Sequence, residues 1–205
     1  MGTVIFETSV SLDGYVAGPN DNPENGLGDG GEALFAWYQN GDVDFPLPGT
    51  DMSFKVSQAS ADLFKDEWGK LGAMVAGRRM FDIARAWGGY PPGGGPCFIM
   101  THHPPQEWIK PDSPFTFVTD GVESAVAQAK QAAGDKNVSI SSASIAQQSI
   151  QVGLLDEIVL SVTPVLLNGG VRLFENLGGL RAITLEPIYA VMGKGVTHLK
   201  YRIVK

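Results

Sequence analysis

Three short runs carry residue types suited to holding an anion: Gly77-Arg78-Arg79, Thr101-His102-His103 and Ser141-Ser142-Ala143-Ser144. The first couples a glycine, which lets another backbone or a ligand approach closely, to two guanidiniums able to grip phosphate oxygens in pairs. The last is a series of small hydroxyl residues opening a helix, where unpaired N–H groups and the helix dipole favour negative charge. Each run also has an ordinary structural reading, since Gly-Arg before a helix is often a turn with solvated arginine and Ser-Ser-Ala-Ser is often an N-cap. Their chemical meaning depends on being brought together.

The flanking pattern supplies a way to do that. Residues 73–76, 97–101 and 137–141 are short apolar runs of strand type, each ending where one of the three groups begins. In parallel α/β sheets, ligands bind beyond the carboxyl ends of such strands. Further strands are predicted over 3–10, 115–119, 157–162, 183–189 and 196–203. Helices are predicted from Ser57 through about 71, from Gly77 through 84, over 122–133 and around 144–152. Strands alternating with helices predict a mostly parallel sheet covered on both faces, and the closing run of strands predicts an antiparallel edge. No repeat and no linker divides the 205 residues, so a single domain over 1–205 is expected.

Composition narrows the function. Fifteen Lys and Arg against 22 Asp and Glu give a net charge of −7, which repels polyanions and leaves no basic stripe for nucleic acid. The one cysteine, Cys97, lies in an apolar run and reads as a buried thiol in a reducing, cytoplasmic setting. Neither a signal segment nor a membrane span is expected. Adjacent His102 and His103 point oppositely in an extended segment, and with His198 remote no metal site is expected. Asp13, in Ser11-Leu12-Asp13-Gly14, reads as a turn aspartate bonding nearby N–H groups. The 26 glycines and 13 prolines concentrate in two stretches, 14–31 and 88–96. The first opens a long polar loop at about 18–51 interrupted by Phe35-Ala36-Trp37-Tyr38, which reads either as a lid or as a packed helical patch.

In order along the chain, VSLDGYVAGPN (10–20), GRRMF (77–81), THH (101–103), FTFVTDGVESAVAQAKQAAGDKNV (115–138), GLLDEIVLSVTPVLLNGG (153–170), RLFE (172–175) and GVTHLKY (195–201) resemble the dihydrofolate-reductase-like family. More narrowly, they resemble the RibD C-terminal domain proteins. The resemblance implies a three-layer α/β fold with a central sheet of about eight strands, binding NADPH (NADP) across the strand ends. It implies hydride transfer to a small pterin- or pyrimidine-like ring, the phosphoribosylaminouracil of riboflavin biosynthesis among the candidates. By the same resemblance, Ser9, Val16 and Ala17 face the nicotinamide, and Gly77, Arg78 and Arg79 hold phosphates, with Arg78 nearest the 2′-phosphate. Thr101 and His102 line the adenosine side, and Ser141, Ser142, Ala143 and Ser144 lie under the pyrophosphate. A homodimer is expected by analogy.

Reduction of a C=N bond needs a proton donor, and a partly buried carboxylic acid can supply it. In the family this acid lies on the helix before the Gly-Arg turn, where Asp62 matches best and Asp66 is the alternative. The two lie one turn apart on one face, with Glu67 off that face. The competing reading is a solvated acidic face paired with Lys65 and Lys70. Two departures from the family weigh on the functional reading: Ser141-Ser142 stands where relatives carry Gly-Gly, and Ile140 where riboflavin reductases carry Glu. A non-catalytic nucleotide-binding sensor, or a flavin- or deazaflavin-dependent reductase, are the alternatives.

Overall fold

The computed structural model describes residues 2–48, 52–175, 177–179 and 182–205. The chain opens with β1 (Val4–Ser11) and β2 (Tyr15–Ala17), passes a 3-10 helix (Gly31–Tyr38) and forms a hairpin, β3 (Val43–Pro46) and β4 (Ser53–Val56). Then follow α1 (Gln58–Gly69), β5 (Leu71–Gly77), α2 (Arg78–Ile83), β6 (Cys97–Met100), β7 (Phe115–Val118), α3 (Val122–Ala133), β8 (Asn137–Ile140) and α4 (Ala143–Gln151). The chain ends in β9 (Glu157–Thr163), β10 (Val171–Arg172), β11 (Leu185–Gly193) and β12 (Val196–Ile203).

Among the described residues the main sheet has eight strands in the order β11-β12-β9-β1-β8-β5-β6-β7. All pairings are parallel except β12 with β9 and β11 with β12. The expected antiparallel edge is therefore present, and β11 runs further than the predicted 183–189. No described helix is long and apolar enough to cross a membrane.

The two faces of the sheet differ in chemistry. On one, Val4, Phe6, Val10, Val75, Val138 and Ile140 pack against Ala125, Val126 and Ala129 of α3 and Ile145 and Ala146 of α4. On the other lies a mixed layer. Trp37, Phe54, Val56, Ala61, Phe64 and Val196 form its apolar part, while Glu7, Ser9, Ser161, His198 and Lys200 put polar groups beneath α1 and the 3-10 helix.

That polar content decides how α1 sits. Ser57 caps it, its hydroxyl accepting from Ser60 N–H at 3.3 Å. The buried residues are Ser60, Ala61, Phe64 and Glu67, whereas the apolar positions suggested Ala59, Leu63 and Phe64. The helix turns Ser60 and Glu67 inward because the sheet offers partners: His198 lies between Ser60 Oγ (2.9 Å) and Ser161 Oγ (3.0 Å). Lys200 Nζ reaches Glu67 at 2.8 and 2.9 Å and Glu157 at 3.0 Å. Burial pushes the His198 pKa down to about 4, so the imidazole is neutral. Burial alone lowers the Lys200 pKa, but hydrogen bonds and charge from Glu67 and Glu157 outweigh it and leave the pKa raised.

The polar loop at 18–51 contains its own structure. Trp37 is 2% exposed, and Tyr38 stacks on Phe54 at 4.0 Å and 3°. The aromatic island is thus a packed patch whose cavity side carries Phe35 and Tyr38. Two glycines let the segments around β2 touch: a Cβ at Gly18 would lie 2.0 Å from Asp29 O, and one at Gly170 (φ +112°) 2.1 Å from Ala17 O. Asp13 also ties loops together, accepting from Ser11 Oγ at 2.6 Å, Leu167 N at 3.1 Å and Asn168 N at 2.8 Å. Cys97 is 1% exposed, and burial pushes its thiol pKa up.

Lys200→Met is expected to destabilise the protein by about 3–5 kcal/mol in urea denaturation, because two buried carboxylates lose their shared cation.

Candidate active site

A cavity of about 910 Å3 opens along the carboxyl ends of β1, β5, β6 and β8 and continues under α1. All twelve residues expected to hold a cofactor line it: Ser9, Val16, Ala17, Gly77, Arg78, Arg79, Thr101, His102, Ser141, Ser142, Ala143 and Ser144. The three runs that are far apart in sequence therefore share one wall. The sheet brings them there, since β5 lies between β8 and β6 and all three strands run in the same direction.

One end of the cavity is cationic and rich in N–H donors. Ser142 precedes α4 with extended backbone and makes no side-chain cap; its hydroxyl accepts from Gly77 N–H at 2.8 Å. The first helical bond runs from Ala146 N to Ser142 O, so the N–H groups of residues 143–145 lack helical acceptors and are available to a ligand. The second serine is accommodated because its hydroxyl joins β5 to α4. Thr119 and Gly121, at the start of α3, also line this end. Sequence reading missed them, although Val118-Thr119-Asp120-Gly121 is the same kind of strand-to-helix junction as Gly77-Arg78 and Ser141-Ser142.

The two arginines have different jobs. Arg78 Nε lies 2.8 and 3.0 Å from the Asp82 carboxylate and another guanidinium nitrogen meets His103 O, which braces the group at the cavity wall. Arg79 is paired with Asp21, its Nε 2.8 Å from Oδ2 and NH2 2.6 Å from the backbone O. The expected phosphate role for Arg79 therefore competes with an ion pair that fastens the 18–29 loop to α2. Thr101 Oγ1 accepts from His103 N–H at 3.1 Å, fixing the turn that carries His102.

The other end of the cavity is walled by Phe35, Tyr38, Leu47, Trp68, Met74, Pro92 and Pro96. The hairpin and the 88–96 turn meet there, Gly93 N–H donating to Pro48 O at 3.0 Å. Among the described residues a single acid lines this end, Glu7 in the middle of β1. Its Oε2 accepts from Trp68 Nε1 at 3.1 Å. Burial pushes its pKa up to about 7 against the lowering effect of the indole; nearby Glu67 raises it further and Lys200 lowers it. The Tyr38 hydroxyl is likewise pushed up, by burial and by Glu7.

Asp62 and Asp66 do not reach this cavity. Both are exposed on the outer side of α1, Asp62 accepting from Gln58 Nε2 at 2.7 Å and Asp66 paired with Lys70 at 2.6 Å. This corrects the expectation of an acid at either position: the face they share is the solvated one, because Ser60, Phe64 and Glu67 occupy the buried side. Glu7 was legible as the lone carboxylate within the apolar run Val4-Ile5-Phe6-Glu7-Thr8-Ser9-Val10, a placement that costs free energy unless the group has a use.

The RibD C-terminal domain profile matches residues 2–197. Among curated proteins no sequence relative is found. Similar solved structures include a putative riboflavin biosynthesis protein from Shewanella sp. PV-4, 21% identical over 99% of each chain with a TM-score of 0.70. A pyrimidine reductase-like protein from Corynebacterium diphtheriae is 13% identical over 100% of this chain and 92% of its own, with a TM-score of 0.61. Dihydrofolate reductase from Enterococcus faecalis, complexed with NADP(H), is 13% identical over 100% and 98%, with a TM-score of 0.59. The fold is that of the dihydrofolate-reductase-like proteins.

Two outcomes follow from this geometry. Ser142→Ala leaves the buried Gly77 N–H without its acceptor and is expected to cost about 1–3 kcal/mol in urea denaturation. The Glu7 pKa is raised from its ordinary 4.5, so folding favours the protonated form. That stabilisation is complete below about pH 4.5 and lost as the pH rises to about 7, a fall of at most about 3 kcal/mol. Glu7→Gln is expected to remove that fall from the pH profile of thermal unfolding.

Proposed function

Because the chain belongs to the RibD C-terminal domain family, we propose that it is an NADPH-dependent reductase that transfers hydride to the C=N bond of a small heterocycle. One observation carries the reading: the cationic, donor-rich end and the aromatic, acid-bearing end belong to one continuous cavity. A dinucleotide spanning that cavity meets suitable partners along its length. The free N–H groups at the start of α4 and the hydroxyls of Ser141 and Ser144 suit the pyrophosphate, and Arg78 suits the 2′-phosphate. Thr101 and His102 suit the adenosine. Ser9, Val16 and Ala17 form the wall where the nicotinamide ring would lie beside the substrate end; when bound, the cofactor supplies the hydride.

Local structure makes each of these contacts available in advance. Ser142 holds Gly77 and the start of α4 together, Asp82 holds the Arg78 guanidinium, and Trp37 Nε1 holds the Ser9 hydroxyl at 3.2 Å. A site whose donors are already fixed loses less entropy on binding. The serine pair in place of Gly-Gly is compatible with this reading, since Ser142 turns its hydroxyl toward β5.

In thermal-shift and fluorescence titrations, NADPH is expected to stabilise the protein and to bind more tightly than NADH. Arg78→Ala is expected to weaken NADPH by about 10- to 100-fold while changing NADH little, as the loss of a charge-assisted pair to a phosphate requires. Equal affinities for the two nucleotides in the unaltered protein would remove the 2′-phosphate assignment, and saturable binding of neither would sink the reductase reading.

A further inference from the structure

We propose that Glu7 is the acid of this site and that the acceptor it serves is a flat nitrogen heterocycle carrying no phosphate. The proposal rests on the reductase reading above and adds to it the proton donor and the substrate class.

The placement of Glu7 follows from β1. Phe6 and Val10 point into the core beneath α3 and α4, so Glu7 and Ser9 project from the opposite face, the one that α1 covers. There the carboxyl group lines the cavity and takes a hydrogen bond from Trp68 Nε1; no other hydrogen bond reaches it from the described residues. The indole is itself held in place, stacked on Phe64 at 4.5 Å and 13° and edge-on to Phe45 at 5.6 Å. Glu7 is thus fixed at one oxygen, with hydrogen-bonding capacity left for a ligand.

The groups around it favour a neutral acid. From α1, Glu67 lies close, and from β12, Lys200; Lys200 is shared between Glu67 and Glu157 of β9, so its charge is already matched by two carboxylates. The 3-10 helix contributes the Tyr38 phenol and β11 the Tyr189 phenol, whose pKa values rise partly through Glu7 itself. The Tyr189 hydroxyl oxygen is buried and has no partner among the described residues. Trp68 and Lys200 favour an ionised Glu7, but burial, the largest influence, and Glu67 oppose it and leave the pKa raised. A carboxyl group poised near neutral pH is suited to give up a proton at working pH.

Charge also selects the acceptor. The described cationic or basic side chains lining the cavity are Arg78, Arg79, His102 and His103, all beyond the ends of β5 and β6. None of these lines the compartment of Glu7, whose walls include Phe35, Tyr38, Leu47 and Trp68. A phosphate there would lose its water and meet a carboxyl group and aromatic rings with no described cationic side chain on the wall to match its charge. A planar ring with a basic or N–H-bearing nitrogen fits instead, its faces against aromatic walls and its nitrogen on Glu7. The reductant is a reduced nicotinamide. As hydride brings two electrons to the ring carbon, Glu7 gives its proton to the adjacent nitrogen. The C=N π bond breaks, C–H and N–H bonds form, the nicotinamide is left oxidised, and the Glu7 carboxylate recovers a proton from water.

The first test needs no cofactor: tryptophan fluorescence of the apoprotein is followed from pH 4 to 9. A transition with a midpoint of about 7 is expected, absent in Glu7→Gln, because ionisation of Glu7 alters the Trp68 hydrogen bond. Without that transition the Glu7 assignment falls. The second test measures NADPH oxidation with a phosphate-free 7,8-dihydropterin and with a phosphoribosylaminouracil. Glu7→Gln is expected to lower kcat for the dihydropterin by about 100-fold or more and to leave the NADPH Kd within about twofold. In the unaltered enzyme kcat/KM should fall as pH rises past about 7, and that dependence should vanish in the variant. Wild-type kcat in Glu7→Gln overturns the acid role. Preference for the phosphorylated uracil, or reduction of neither acceptor by a protein that binds NADPH, overturns the substrate class. Failure to bind NADPH sinks the reductase reading separately, while the apoprotein titration still decides Glu7.

Discussion

The buried contact between Lys200 and Glu67 sets the geometry on which the site depends. It fastens α1 to the antiparallel edge of the sheet at 2.8 Å, and Glu157 completes the cation's coordination. Trp68 is the next residue along the helix, so fixing Glu67 also fixes where the indole enters the layer between helix and sheet. From there it reaches Glu7 and walls the cavity. The neighbouring Ser60–His198–Ser161 chain holds the same helix through neutral groups, so α1 is keyed to the sheet by polar contacts at both ends of its buried face. Such contacts add little net stability compared with apolar packing, but they penalise a helix rotated by even one residue.

The cavity is electrostatically divided as a consequence. At the strand ends, Arg78, the starts of α3 and α4 and the small hydroxyls of Ser141 and Ser144 face a ligand with donors and positive charge. Beneath α1 the lining is largely aromatic and aliphatic with a few hydroxyls, and Glu7 is the one acid there among the described residues. A ligand that is an anion along most of its length and a flat ring at one end satisfies both regions, whereas an anion at both ends does not. Arg79 stands outside this division: its pair with Asp21 belongs to the loop that covers β2.

Much of the cofactor end could be read from the chain. Apolar strands that end in Gly77-Arg78, Thr101-His102 and Ser141–Ser144 announce their chemistry locally, and the rule that parallel strands deliver their carboxyl ends to one side does the rest. The acid could not be read so directly. Asp62 and Asp66 have helical spacing and lie on one face, as expected, but periodicity does not say which face is buried when the sheet beneath is polar. The helix buries Ser60 and Glu67, and its aspartates go to solvent. Similarly, the glycine-rich loop after β2 concealed a hairpin and a 3-10 helix, because their short strands are stabilised by Phe54, Trp37 and Phe64 packing across the chain.

The sequence by itself determined the alternation of strands and helices, the parallel sheet with its antiparallel edge, the buried Cys97 and the runs that line the cationic end. These are properties of local pattern and of the few topologies that pattern permits. Asp13 stands at the expected turn, but the N–H groups it accepts from belong to Leu167 and Asn168 rather than to its neighbours. Only the tertiary structure decided that Glu7 and Trp68, sixty-one positions apart, form one site, that Arg79 is paired with Asp21, and that His198 and Lys200 orient α1. Those outcomes depend on desolvation and on partners contributed by distant strands, and the energy of a buried polar group is set by what surrounds it rather than by its neighbours in the chain.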